Sequence, residues 1–217
     1  MLRAVCVLWL VSLLSISGGA AAPDPAQRRK AKAPAAKVAK PTASVSKDVA
    51  CPSDLGVGVK SQRPFCDITV GTDPAKGIVM RVPPHTGPTT LLFDLHNRFA
   101  VSGPKLPFAR AVALVAVLNG SSGAVIGRAG VMGELRKELD LFDRIGGGGP
   151  ASSRTVAPGR AEPISMTLPA AVTSISIVGV RVELTEGADR TEFSAPGRPV
   201  AIASNLRIAY TPAPVGK

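Results

Sequence analysis

The sequence predicts an all-β fold, an antiparallel sandwich of the immunoglobulin-like or jelly-roll-like kind with one short helix. Three observations predict it. Runs in which apolar residues alternate with polar ones recur between residues 77 and 210, clusters of Pro, Gly, Asn and Ser separate them, and a single stretch shows helical spacing. The Cys, Trp and Cys hallmark of antibody domains is missing, since the one tryptophan is Trp9 near the chain start.

The first strand is expected over 77–83, where Ile78, Met80 and Val82 alternate with Val79 and Arg81 until Pro83-Pro84 stops the run. Residues 83–88, including His85, then read as a turn-rich loop. In 89–99 the residues Leu91, Phe93, Leu95 and Phe99 are expected to face the core. Asp94, His96 and Arg98 then share the opposite face. Residues 108–118 are apolar but small, which suits a central strand covered on both faces. A hairpin connection over 119–123 follows, and 124–131 returns. Asn119-Gly120-Ser121 also fits a glycosylation sequon, although a tight turn explains the same residues without a sugar.

The helical stretch is expected at 134–145, on the spacing of Leu135, Leu139, Phe142 and Ile145, with Gly146 to Gly149 ending it as a flexible loop. Strands resume at 163–168, 172–184 and 201–210. In the middle one the inward set shifts from Ile175 and Ile177 to Val180, Val182 and Leu184, so a β-bulge or sharp bend is expected at Gly179.

The chain start reads differently. Arg3 precedes an apolar run of about 13 residues closed by Gly18, Gly19, Ala20 and Ala21, a signal-peptide pattern too short for the ~20 residues of a spanning helix. Residues 1–20 are therefore expected to be a cleaved signal, with an uncleaved membrane anchor as the alternative. Residues 21–47 are rich in Ala, Pro and Lys, and no run in them buries enough apolar surface to order it. A disordered linker is expected there. Arg28, Arg29, Lys30, Lys32, Lys37, Lys40 and Lys47 oppose only Asp24, so much of the formal charge of +11 lies in this arm. The arm is either a spacer or an electrostatic tether to an anionic surface, and without interleaved aromatics it carries affinity but no specificity. Residues 48–217 form one domain of ordinary size.

Export places Cys51 and Cys66 in an oxidising compartment, where a disulfide between them is expected. Catalytic signatures are sparse: there is no G-x-S-x-G elbow, H-E-x-x-H or Walker motif. The one polar constellation is Asp94 and His96, about 7 Å apart on one strand face, with His85 nearby in sequence. These three are candidate metal or acid-base residues. Alternation alone explains Asp94, His96 and Arg98 as the outer face of a half-buried strand, where ion pairing needs no function. The mature chain keeps one aromatic suited to sugar stacking besides phenylalanine, Tyr210, which disfavours carbohydrate binding. No cofactor is expected. The function expected is an exported, non-enzymatic sandwich that meets an envelope or extracellular protein or an anionic polymer, with a secreted metal-dependent or hydrolytic enzyme as the alternative.

Overall fold

The computed structural model describes residues 42–45, 48–101, 109–145 and 155–213. The expected signal, most of the arm with its six candidate anion-binding residues Arg28, Arg29, Lys30, Lys32, Lys37 and Lys40, and the glycine run at 146–149 lie outside them. Two antiparallel sheets pack face to face, as the alternation predicts. The strands are β1 (Thr42–Val45), β2 (Val49–Ala50), β3 (Asp54–Val57), β4 (Pro64–Thr69), β5 (Ile78–Arg81), β6 (His85–Val101), β7 (Ala109–Asn119), β8 (Val125–Leu135), β9 (Thr155–Leu168), β10 (Ser174–Glu186), β11 (Asp189–Phe193) and β12 (Pro199–Pro212). One sheet runs β3-β4-β12-β6-β9 with β1 also on β12. The other runs β2-β5-β10-β7-β8 with β11 also on β10.

Each sheet is organised by one long strand. In the second sheet β7 pairs along β10 from Ile175 to Thr185, so β5 and β11 divide the other edge between them, β5 at Ser174 to Ile177 and β11 at Val182 to Glu186. In the first, β6 lies along one edge of β12 while β4 and β1 divide the other. The core between the sheets follows the predicted alternation. Ile78, Met80 and Val82 point inward from the β5 run, and Leu91, Phe93, Leu95 and Phe99 from β6. Burying such side chains contributes roughly 1.5–3 kcal/mol each. The Cys51–Cys66 disulfide ties the entry of the domain to β4 across a Cα separation of 5.9 Å. Among the described residues no helix is long and apolar enough to cross a membrane.

The bulge lies where the period slips. Register between β10 and β7 shifts between Gly179 and Arg181, leaving Val180 as the extra residue. Ile175, Ile177, Val182 and Leu184 do face the core, but Val180 does not: it joins Val178 on the outer face. The connection after β7 is a hairpin loop as expected. The Asn119 amide oxygen accepts hydrogen bonds from the N–H groups of Ser121 and Ser122, at 2.9 and 3.2 Å, which closes the loop locally.

Four expectations need correction. The stretch 134–145 is not a helix: β8 continues to Leu135, a single 3-10 turn covers Glu138–Asp140, and extended chain follows. The apparent stripe divides three ways, because Leu135 enters the inter-sheet core, Leu139 is 83% exposed, and Phe142 packs with Phe65 outside the first sheet. The Asp140 carboxylate accepts the N–H groups of Arg136 and Lys137, which hold it below the usual carboxylate range and stabilise the turn. His85 opens β6, pairing with Pro212, and is not in a loop. Thr42–Val45, which composition assigns to the arm, pairs with β12 as β1. Lastly, β7 is covered on both faces only in its second half: Ala111, Ala113, Val115 and Val117 are fully buried on the inner face and Ala116 and Leu118 are 4% exposed on the outer one, whereas Val112 there is 38% exposed.

Candidate functional site

The face carrying Asp94 and His96 is not the solvated surface that alternation suggests. The chain covers it with its own residues. Phe65 from β4 and Ile202 from β12 project outward beside His96, and Phe142 and Ile145 close over them as a second, smaller core. His96 is fully buried. Its Nδ1 lies 2.9 Å from the Gly159 carbonyl, which can only accept, so Nδ1 carries the proton and Nε2 accepts from the Ser204 hydroxyl at 2.9 Å. Burial pushes the His96 pKa below its ordinary value despite the Gly159 carbonyl and the Asp94 charge, which act the other way.

A serine hydroxyl bonded to a neutral imidazole resembles the nucleophile and base of acyl-transfer enzymes in geometry. Ser204 and His96 are both fully buried, however, and neither lines an open groove in the described structure. The pair satisfies two polar groups that the small core would otherwise leave without partners.

The remaining charges on this face are paired with one another. Asp94 accepts from Arg63 at 3.0 Å and from Asn205 at 3.2 Å. Arg98 reaches across β12 to Asp67 on β4 at 2.9 Å, where burial raises the Asp67 pKa and Arg98 only partly offsets it. The predicted cross-strand pairing is thus present. His85 bonds the Pro83 carbonyl through Nδ1 and lies eleven residues up the strand from His96. At about 3.4 Å per residue that is more than 30 Å, too far for a shared ion. Among the described residues no group of three or more His, Cys, Asp or Glu side chains could hold a metal.

The cover is pinned by Asp143, a residue that helical spacing hides as one more acid on a solvated face. Its carboxylate is buried and accepts the backbone N–H groups of Lys60 at 2.9 Å, Ser61 at 2.7 Å and Arg144 at 2.7 Å. Burial raises the Asp143 pKa, but hydrogen bonds from the Ser61 side chain and from these N–H groups outweigh it and hold the carboxyl at about 2. Gly58 is required here, because a Cβ would collide with the Asp143 carboxylate and, at 2.7 Å, with the Phe65 ring.

The outer face of the other sheet is built differently. At the β10 bulge neither β5 nor β11 covers the strand edge. The chain leaving β4 crosses to it instead, with Val70 bridging Gly179 and the Gly71 N–H donating to the Gly179 carbonyl at 3.2 Å. Gly179 lets the crossing chain approach, since a Cβ there would meet Val200 at 2.5 Å and the Thr69 carbonyl carbon at 2.9 Å. This crossing and the segment 194–197 wall a groove of about 750 Å³. Its floor is the apolar cluster of Ala116, Leu118, Val178 and Val180. Val125 forms part of the rim, half-exposed, and Asp73, Lys76 and Arg128 are the charged residues along it. The size is in the range of small-molecule sites, about 300–1,000 Å³.

No family model, curated protein or solved structure matches this chain. The groove is therefore argued from its own chemistry.

Proposed function

We propose that this chain is an exported, non-enzymatic binding module of the cell envelope that takes an apolar ligand or partner segment into the groove on the β10-β7-β8 face. The observation that carries this reading is the contrast between the two outer faces. On one sheet Phe142, Ile145 and the turn over 58–63 cover the apolar residues. On the other, the partly exposed apolar residues Val70, Val125, Val180 and Pro196 line a walled groove above the buried cluster of Ala116, Leu118 and Val178. A walled concavity with an apolar floor and few polar groups is the usual form of a ligand site.

The disulfide fits an extracellular or periplasmic protein. In this reading residues 1–20 direct export and residues 21–47 hold the domain at an anionic surface through Arg28, Arg29, Lys30, Lys32, Lys37 and Lys40. The alternative of hydrolysis or metal chemistry at Asp94 and His96 draws no support from a face whose groups are already bonded to one another.

The test is titration with the neutral dye Nile red. Saturable fluorescence enhancement is expected for the unsubstituted protein and is expected to be lost in Ala116→Leu, which fills the floor. Val125→Trp, a change at a half-exposed rim position, serves if Ala116→Leu lowers the melting temperature. Absence of saturable binding to the folded protein would refute the groove as a ligand site. Replacing Arg28, Arg29, Lys30, Lys32, Lys37 and Lys40 by Gln is expected to abolish retention on anionic liposomes, and equal retention would remove the tether.

A further inference from the structure

We infer that the chain forms a twofold dimer in which the open edge of β8 pairs antiparallel with β8 of a second copy, centred on Val131. This surface is separate from the groove reading and does not depend on it. An edge strand presents unpaired N–H and C=O groups, a template for another chain unless something blunts it. β1, β2, β3 and β11 are edges of 4, 2, 4 and 5 residues, and β11 is mostly charged. β9 is long but blunted twice. Pro158 and Pro163 lack the backbone donor, and the chain after β8 closes on this edge, the Phe142 N–H donating to the Pro158 carbonyl at 2.8 Å and the Ile145 N–H to the Val156 carbonyl at 3.2 Å. β8 has neither device: it runs 11 residues without proline, and among the described residues only β7 pairs with it.

Asn97 reveals which backbone groups of β8 face the open edge. Its buried side-chain amide donates to the carbonyls of Ala111 on β7 and Val131 on β8, at 3.1 and 3.3 Å. One N–H₂ group reaches both only if both carbonyls lie between the two strands, so Val131 directs its backbone toward β7. Successive residues of a strand direct N–H and C=O to opposite sides. Arg128, Gly130, Met132 and Glu134 therefore direct theirs to the open edge, and all four are exposed.

The sequence of this edge is complementary to itself. With the twofold axis at Val131, Arg128 stands opposite Glu134 of the partner subunit and Gly130 opposite Met132 of the partner subunit, and each pair exchanges both of its backbone bonds. The Glu134 carboxylate takes its bonds from Arg136 on Oε2, which leaves Oε1 for the incoming Arg128. Met132 is 64% exposed, and its side chain passes over a glycine, where no side chain competes for the space. Sliding the pairing by two residues loses both ion pairs: one direction sets Arg128 against Arg136, the other against Met132. Opposite charges directly across antiparallel strands stabilise the pairing and like charges oppose it, so charge selects the Val131-centred register. A twofold pairing consumes both edges and closes the assembly at two chains.

The experiment is sedimentation velocity of the full chain over a range of concentrations. The unsubstituted protein is expected to reach twice the mass of one chain and to go no further. Arg128→Glu and Glu134→Arg, both at exposed positions, set like charges against each other in both symmetric pairs, and each is expected to raise the dissociation constant about tenfold. An equimolar mixture of the two variants is expected to recover the affinity as a heterodimer, because both pairs then join unlike charges. Met132→Pro removes an N–H directed at the open edge and spares the bonds to β7, so it is expected to give a folded monomer, with folding checked by melting temperature. A monomer at every concentration overturns the proposal, as does a dimer that persists in Met132→Pro. Charge variants that associate as the unsubstituted protein does, or a mixture that recovers nothing, overturn the register and the twofold pairing with it.

Discussion

Replacing Asp143 by Asn is expected to loosen the cover over the His96 face and to do so in a pH-dependent way. The carboxylate accepts three backbone N–H groups within 2.9 Å. Asn keeps one accepting oxygen but turns an amide N–H₂ toward donors that have no other partner. Holding the carboxyl at about 2, against an ordinary 3.8, corresponds to about 2 kcal/mol in favour of the folded state at neutral pH, at roughly 1.4 kcal/mol per tenfold. Because the folded pKa is depressed, that stabilisation is complete above the unfolded pKa near 4 and is lost as pH falls toward 2. Urea unfolding at pH 7 should therefore show Asp143→Asn less stable by about 2 kcal/mol, with the difference closing at pH 2. Amide exchange of residues 59–61 should accelerate in the variant at pH 7. A loss below about 0.5 kcal/mol at pH 7, within the range of ordinary surface substitutions, or one that is the same at pH 2, would refute the assignment of Asp143 as the anchor.

Three further outcomes follow from the same structure. His96 has a lowered pKa, so the unfolded chain takes up the proton first, and stability should fall as pH drops below about 6.5, by at most about 1.4 kcal/mol per pH unit. In His96→Gln that portion of the pH profile should flatten, and an unchanged profile would remove His96 as its source. Gly179→Ala should cost on the order of 2 kcal/mol in denaturant unfolding, because the new methyl meets the Thr69 backbone and Val200 side chain; a neutral effect would mean that the crossing chain yields. Leu139→Ser should shift stability by less than about 0.5 kcal/mol, since the side chain is 83% exposed. A loss of 2 kcal/mol or more would restore the helical stripe that Leu139 was expected to share with Leu135 and Phe142.

Much of the fold is legible in the sequence because a strand with one buried face writes its orientation into alternate positions. Ile78, Met80, Val82, Leu91, Phe93 and Leu95 all lie where period two places them, and the slip in that period locates the bulge within a residue. The hairpin loop after β7 is legible for a local reason, since the Asn119 side chain closes it within three residues. Spacing failed at 134–145, where a 3.6-residue pattern arose by coincidence from three side chains with three destinations. β4 and β11 carry weak strand signals, β4 because Phe65, Cys66, Asp67 and Ile68 are buried on both faces and so do not alternate, and β11 because it is mostly charged. The charges of β11 are explained by Glu192 bonding Arg181 across the strand pair.

The sequence by itself determined which residues alternate, where turns interrupt them and which two cysteines were available to pair, all properties of neighbours along the chain. Only the tertiary structure decided what covers each outer face. Alternation separates inside from outside for one sheet, yet it is silent on whether a distant segment returns to close the outside. His96 is buried because Phe142 and Asp143 come back over it, whereas among the described residues the crossing chain after β4 and the segment 194–197 wall a groove beside Val180. That difference depends on contacts such as Asp143 with Lys60, 83 residues apart, and contacts at that separation leave no periodic trace in the sequence.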